Sequence, residues 1–205
     1  TTFRRVVKDS AYNTITTGFS ADYNLPAFPQ VSGSFVSPTA RHRDAVIMKT
    51  DMLQNLIWCT FFGGANNDEG NAITTTPNGI FITGYSESWN FPIATAGNFN
   101  QLVSLNGRDA FIAKFDNQGR WQWSTGYGGS ESDEGMDVDY QNGKIYVAGY
   151  TNSSNFPVLA KAGAYNNALS FGADADAFIL EFDTACYRQW GTRFGSRGND
   201  YFTSL

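Results

Sequence analysis

Short apolar segments alternate with glycine-rich turns along the chain, and their apolar positions follow a two-residue period. The segment Ala110–Phe115 reads AFIAKF, with Phe111, Ala113 and Phe115 on one face and Ile112 on the other. Successive side chains of a β-strand point to opposite faces, so this pattern predicts a strand that is buried on both sides. A strand of that kind belongs to a sheet that is packed between two other sheets.

Three further segments complete one unit of this pattern. They are Arg120–Tyr127, Gly135–Tyr140 and Lys144–Thr151, and they are rich in aromatic and β-branched residues. Asn142-Gly143 separates the last two segments, and this dipeptide is typical of two-residue hairpin turns in which both residues take positive φ. A long polar connection then leads to the next unit. We therefore predict four antiparallel strands per unit.

The unit occurs three times in the chain. A period near 65 residues with four strands per unit is typical of β-propeller blades, whereas β-solenoids have much shorter repeats. Recurrence in every unit predicts structural roles: a strand-opening aspartate would accept backbone N–H groups in the preceding turn, and a repeated tryptophan would pack between blades. Spacings of 65 and 67 residues relate the aspartates Asp44, Asp109 and Asp176 and likewise the tryptophans Trp58, Trp123 and Trp190.

The chain is predicted to be all-β, a single β-propeller segment over residues 1–205. Residues 1–43 would hold the second half of one blade and its connection, 44–108 and 109–175 would be full repeats, and 176–205 would hold the first half of another blade. Two full blades plus two half-blades would form part of a larger ring. Open sheet edges favour association, so self-association through these half-blades is an expected property.

One stretch of the chain, from Asp109 to Val158, resembles a known repeat family. Its phrases DAFIAKFD, WSTGYGG, SDEG and GYTNSSNFP are similar to the SBBP repeat, the seven-bladed β-propeller repeat of bacterial secreted and cell-surface proteins. The resemblance extends over nearly the whole chain. It implies an exported, cell-surface protein of the kind frequent in Bacteroidetes-like bacteria. The third copy departs from the pattern at Ser196, Tyr201 and Phe202.

Charge and composition argue against two kinds of partner. The net charge is −5, whereas binding to nucleic acid requires clustered lysine and arginine, so no nucleic-acid partner is expected. No stretch approaches 18 consecutive apolar residues, so no membrane span is predicted in this segment. Cys59 and Cys186 occupy non-equivalent repeat positions, one in a strand and one near a turn, which predicts two free thiols.

The candidate binding residues are carboxylates in the acidic loops and aromatic side chains near them. Carboxylates in glycine-rich turns can hold Ca²⁺, and the alternative role is hydrogen bonding within the turn or between blades. Apart from Ca²⁺, no cofactor is predicted. The aromatic rings could stack on a sugar. The metal candidates are Asp68, Glu69, Asp133, Glu134 and Asp200, and the ligand-binding candidates are Tyr85, Trp89 and Tyr150.

No nucleophile, metalloprotease or phosphate-loop motif is present, and the one histidine, His42, is predicted to lie in a surface loop. We therefore expect a non-enzymatic scaffold, adhesin or protein-binding module that meets a protein or glycan through its unrepeated loops, Ile93–Arg108 and Val158–Ala175. Two alternatives remain open. One is a segment of a glycan-binding or glycan-processing enzyme whose catalytic groups lie elsewhere, and the other is a structural element that assembles a multimer or filament through open half-blades.

Overall fold

The computed structural model describes residues 1–22, 42–94, 97–103, 107–165 and 174–205. This part of the chain contains twelve β-strands and no helix, so the all-β prediction is confirmed. The strands are β1 (Thr2–Lys8), β2 (Thr14–Ser20), β3 (Asp44–Thr50), β4 (Leu56–Phe62), β5 (Asp68–Thr76), β6 (Gly79–Ser86), β7 (Asp109–Phe115), β8 (Trp121–Tyr127), β9 (Asp133–Gln141), β10 (Lys144–Thr151), β11 (Asp176–Asp183) and β12 (Arg188–Phe194).

The strands form three antiparallel sheets of four strands each, which have the architecture of β-propeller blades. The first sheet contains β1 to β4, the second β5 to β8 and the third β9 to β12, each in sequence order. Successive sheets pack side by side, and their leading strands β1, β5 and β9 are neighbours. Equivalent bulges recur in every sheet, for example opposite Lys49, Lys114 and Glu181, so the repeats share one register.

The phase of the blades differs from the predicted one. Each sheet combines the last two strands of one repeat with the first two strands of the next, so the described chain has three complete sheets, not two full blades and two halves. The long connections, such as 152–175, join strands within a sheet, because Tyr150 of β10 pairs with Ala177 of β11. The short links, such as 63–67, cross from one sheet to the next.

Two apolar cores lie between the sheets. Phe111, Ala113 and Phe115 of β7 pack with Ile47 of the first sheet in one core, whereas Ile112 packs with residues of the third sheet in the other. The predicted strand with two buried faces is therefore confirmed. Each core removes large aromatic side chains from water, and such burial is the main force that holds neighbouring blades together.

Local features also follow the sequence. Asn142 and Gly143 both have positive φ, at 52° and 80°, as the hairpin turn requires. Cys59 and Cys186 are buried free thiols, as predicted. In the described ranges no helix is long and apolar enough to cross a membrane.

Candidate functional site

The acidic loops lie where the chain crosses from one sheet to the next, a place we call the blade junction. In the first junction the Asp68 carboxylate accepts the Gly64 N–H at 2.8 Å and the Ser88 hydroxyl at 2.7 Å. Asp133 of the second junction accepts the Gly129 N–H and the Ser153 hydroxyl at 2.7 and 2.8 Å. Both carboxylates thus tie the crossing link to the loop that follows the second strand of the next sheet.

A second carboxylate lies across a glycine from the first one. A Cβ atom on Gly63 would stand 2.5 Å from Asp68 Oδ2 and 2.7 Å from Asp44 Oδ1, and one on Gly128 would meet Asp133 and Asp109, each at 2.5 Å. A side chain has no room there, so the first glycine of each pair is a packing requirement.

The third junction has the same arrangement, with Asp176 beside Gly195 and Asp200 accepting the Ser196 N–H. The strand-opening aspartates Asp44, Asp109 and Asp176 therefore face the glycine of the following link. Their predicted bonds to backbone N–H groups in the preceding turn stay a prediction.

Burial favours the protonated form of the junction carboxylates. The carboxylates of Asp68 and Asp133 have no exposed surface. Burial, the largest cause, raises the pKa of each to about 6, and the hydrogen bonds that they accept act in the opposite direction. In the third sheet the guanidinium of Arg193, only 2% exposed, lies 4.0 Å from Asp176 and donates to the Ser153 carbonyl at 3.0 Å.

The glutamates of the acidic loops bridge neighbouring sheets. Glu69 on β5 contacts Arg4 at 2.6 Å and Arg43 at 2.9 Å, both of the first sheet's part of the chain. Consecutive residues of a strand point to opposite faces, so Asp68 and Glu69 do not converge on one point. Their positions suit inter-blade hydrogen bonding, the alternative to Ca²⁺ binding.

Glu134 on β9 makes an equivalent bridge between the second and third sheets. It accepts the Asn71 amide at 2.9 Å, the Arg108 guanidinium at 3.3 Å and the Tyr150 hydroxyl at 2.8 Å. Within the described ranges no group of three or more His, Cys, Asp or Glu side chains is arranged to hold a metal ion.

The candidate sugar-stacking residues do not form one surface. The Tyr85 ring is 5% exposed and lies beneath the Arg108 guanidinium, 4.4 Å from its centroid. The Tyr150 ring packs edge-on against Tyr201 at 5.0 Å. Trp89 is different, because 63% of it is exposed.

Trp89 lies on an ordered turn. On either side of it, Ser88 and Asn90 accept the N–H groups of Asn66 and Ala65, at 2.9 and 2.8 Å. The next repeat builds the same turn with Ser153 and Asn155, and there the exposed position is Ser154.

The repeated tryptophans differ in burial. Trp58 and Trp123 are 3% and 1% exposed and lie in the two cores, whereas Trp190 on the outer face of the third sheet is partly exposed. A Cβ on Gly119, in the β7–β8 turn of the second sheet, would stand 2.8 Å from the Trp58 ring.

Sequence reasoning missed the residues that join the sheets at the opposite end. Lys49 donates to the Asn117 carbonyl at 3.4 Å and contacts Asp9 at 2.9 Å, and Lys114 donates to the Thr184 carbonyl at 2.6 Å. The sequence did offer an indication, because a lysine recurs at the same position of the strands that begin with Asp44 and Asp109. His42 is exposed, as the surface-loop prediction requires.

The unrepeated loops are described in part, because 95–96, 104–106 and 166–173 lie outside the described residues. Their described portions run back along the last strand of the same sheet. The Gly126 N–H donates to the Gln101 carbonyl at 2.9 Å, and Leu159 forms an isolated bridge with Gly191. These loops therefore cover parts of edge strands that would otherwise be open.

The fold and its junctions define a protein of the β-propeller class, and comparison with known proteins agrees. The SBBP family model, described as a β-propeller repeat, matches residues 122–157, which bears out the resemblance in that stretch. The chain is also similar to the regulatory protein FlaEY of Caulobacter vibrioides, with 26% identity over 171 residues. That match covers 82% of this chain and 17% of the relative, so the chain spans about a sixth of the relative's length.

Proposed function

We propose that this chain is a non-catalytic β-propeller module of an exported bacterial surface protein, which acts as a scaffold and binds a glycan or protein. The repeated polar residues support a scaffold role, because their side chains are engaged in bonds within the blade junctions and between sheets. These residues are Asp68, Glu69, Asp133 and Glu134. Binding is then a property of residues that the repeats do not share.

The observation that carries the binding role is the exposed Trp89 on a hydrogen-bonded turn. Tryptophan is enriched among the residues that dominate binding energy, and a preformed turn lowers the entropy cost of binding. The equivalent turn of the next repeat has Ser154, so an aromatic residue is placed on a frame that does not need it for folding. A sugar ring or an apolar protein side chain fits such a surface.

Arrays of glycans and of surface proteins would test this proposal, with the Trp89→Ser variant as a probe. Serine is the residue that the next repeat uses at this position, so we expect unchanged unfolding and an affinity at least about tenfold weaker. Ser154→Trp is the matched control and should leave binding to the same ligand unchanged. Equal binding by wild type and Trp89→Ser, or turnover of a glycan by the chain, would contradict the proposal.

A regulatory role is the second candidate, because the similar Caulobacter protein is named a regulatory protein. We propose that such a role would act through a protein partner, so a chain that binds only glycans on the arrays would count against it. Export is tested separately by protease treatment of intact cells of the source organism. Protection of the chain from added protease would contradict a surface location.

A further inference from the structure

The hairpin that joins β1 to β2 is longer than its counterparts in the other two sheets. Five residues, 9–13, lie between the paired ends of β1 and β2, and we call them the long turn. Two residues lie between the paired ends of β5 and β6, and two between those of β9 and β10. A two-residue turn is thus enough to close this hairpin of a blade, and the long turn is a feature that the repeats do not share.

Asp9 holds the long turn in one conformation. Its Oδ1 atom accepts the N–H groups of Ala11 and Asn13, both at 2.9 Å, and its Oδ2 atom accepts the Asn13 side-chain amide at 3.0 Å. Lys49 of β3 contacts the same Oδ2 atom at 2.9 Å. A carboxylate has about four acceptor positions, so these contacts occupy it. The long turn is therefore preformed, which lowers the entropy cost of binding a ligand against it.

An open pocket of about 560 Å³ lies between the long turn and the second sheet. Small-molecule sites in proteins have volumes of roughly 300–1,000 Å³, so this pocket has the size of such a site. The long turn lines one side of it, Thr75 near the end of β5 lines another, and Asn117 in the β7–β8 turn lines a third. Lys49 also lines the pocket, and only 9% of its side chain is exposed.

Acceptors and a charged donor remain for a ligand in this pocket. Asn13 and Asn117 each donate through the side-chain amide, and within the described chain no hydrogen bond uses the Oδ1 atom of either. The Thr75 hydroxyl donates to a carbonyl of β1 at 3.3 Å, so its oxygen can still accept. An ammonium group has three N–H donors. Two of those on Lys49 meet Asp9 and a carbonyl of the β7–β8 turn, which leaves one.

The charges of the pocket select a neutral ligand. Lys49 and Asp9 lie 2.9 Å apart, so a charged ligand would be attracted by one of them and repelled by the other. A hydroxyl group both donates and accepts, so adjacent hydroxyls of a sugar can accept from Lys49 and donate to the free side-chain oxygens. The lining is polar except for Ala11 and Pro77, which argues against an apolar ligand.

The corresponding place between the second and third sheets lacks these features. Lys114 takes the position of Lys49 and donates to the Thr184 carbonyl at 2.6 Å. The hairpin turn there consists of Pro77 and Asn78, neither of which carries a carboxylate. The pocket is therefore not a feature of the repeat, and Lys114 provides a matched lysine without the long turn.

We propose that this pocket is a saccharide site that binds a neutral sugar through adjacent hydroxyl groups, with Lys49 as donor and Asn13, Thr75 and Asn117 as acceptors. The site is separate from Trp89, which lies beside the blade junctions at the opposite end of the strands. The inference goes beyond the binding proposed for Trp89 and does not depend on it.

The test is a titration of the protein with the methyl glycosides of glucose, galactose and mannose, followed by amide NMR spectra. We expect at least one of them to shift the signals of Ser10, Asn13 and Asn117 in a saturable way. Glucuronic acid and glucosamine, the charged counterparts, should bind at least about threefold more weakly. The absence of saturable shifts with all three glycosides would overturn the proposal, and tighter binding of either charged sugar would overturn the choice of a neutral ligand.

Substitutions then locate the site. Lys49→Met should weaken binding of the responding sugar at least about tenfold, because a charge-assisted hydrogen bond is lost, whereas Lys114→Met should leave it unchanged. Asn117→Ala removes an acceptor from an exposed turn without breaking an ion pair, so we expect about fivefold weaker binding and unchanged unfolding. This second variant decides the question if Lys49→Met does not fold.

The Trp89→Ser variant separates this site from the one proposed above. It should bind the responding sugar as the wild type does, with the same shifts of the pocket amides. A sugar whose binding is lost in Trp89→Ser and kept in Asn117→Ala would assign saccharide binding to Trp89 and overturn this inference. Equal binding by the wild type, Lys49→Met and Asn117→Ala would overturn it as well.

Discussion

At the residue scale, the hairpin turns that begin with an aspartate need one residue in the left-handed region. Asp51 Oδ1 accepts the N–H groups of Leu53 and Asn55, both at 2.8 Å, and the residue between them takes positive φ. Glycine adopts that conformation without steric cost, and other residues do not. The equivalent residues are Tyr12, Gln54, Gly119 and Cys186, with φ of 61°, 67°, 80° and 70°.

Gln54→Gly should therefore stabilise the protein. The side chain is exposed, and relief of left-handed strain contributes about 0.5–1 kcal/mol after the added flexibility of the unfolded chain is subtracted. Urea unfolding with an unchanged slope measures the gain. Gly119→Ala is the control at the equivalent position and should destabilise by about 1–3 kcal/mol, because its Cβ meets the Trp58 ring at 2.8 Å. A loss of stability in Gln54→Gly would refute the argument.

The buried junction carboxylates predict an unusual pH dependence. The folded-state pKa of Asp68 and of Asp133 is raised to about 6, so the fold favours their protonated forms. Their contribution to stability is full below the unfolded pKa near 4 and is lost as the pH rises to about 6. By linkage the loss is about 2–3 kcal/mol for each group.

Unfolding free energies measured between pH 4 and 6.5 test this prediction. The double variant Asp68→Asn, Asp133→Asn should show a flatter profile than the wild type in this window. Asp51→Asn is the control. Hydrogen bonds from Asn55 lower the pKa of Asp51, so its loss should not flatten the fall in stability between pH 4 and 6. A wild-type stability that falls across this window no more steeply than that of the double variant would show that these aspartates are not the cause.

At the element scale, a sheet is stabilised by the neighbours that cover its faces. Trp58, Trp123 and Trp190 lie on such faces, in the last strand of the first, second and third sheet. The first two are buried and the third is partly exposed. Lys49 and Lys114 donate across the inter-sheet boundaries to backbone carbonyls of the next sheet. The third sheet has Glu181 at this position, where it pairs instead with Lys161 and Lys144.

Truncation of the three tryptophans should show that the loss of stability follows the burial of each ring. Trp58→Ala and Trp123→Ala remove rings from filled cores and should each cost about 3–5 kcal/mol. Trp190→Ala should cost about 1 kcal/mol, because the ring is already partly in contact with water. Urea unfolding of the three variants gives the comparison. Equal costs at all three positions would mean that burial between sheets is not what stabilises these residues.

At the scale of the whole molecule, the described sheets form a linear series in which the second has a packed sheet on both faces. Stability in such arrays is close to a sum of unit and neighbour contributions, so the terminal units are the weakest. β1 illustrates this, because Phe3 and Val6 are 47% and 61% exposed, whereas every side chain of β6 is buried.

Hydrogen exchange in the native state should follow the same order. Amides of β6 and β7 should exchange only through global unfolding, and those of β1 should exchange at least about tenfold faster through local opening. Exchange measured in the Gln54→Gly background, which should be more stable by about 0.5–1 kcal/mol, serves as a check, because only the β6 and β7 rates should follow the change in global stability. Protection of β1 equal to that of β7 would contradict a series of sheets with a weak end.

The amino-acid sequence by itself determined the repeat, the positions of the strands and the two buried faces of β7, because these depend on local periodicity and on turn residues such as Asn142-Gly143. It did not determine which strands share a sheet. The pairing of Tyr150 with Ala177 spans a long connection, and the short link 63–67 crosses between sheets, so distance along the chain was a misleading guide.

Only the tertiary structure decided that Glu69 bridges to Arg4, that Ser88 bonds Asp68 and that Trp89 is the most exposed of the three candidate rings. These contacts join residues far apart in the chain, and their geometry depends on how whole sheets pack.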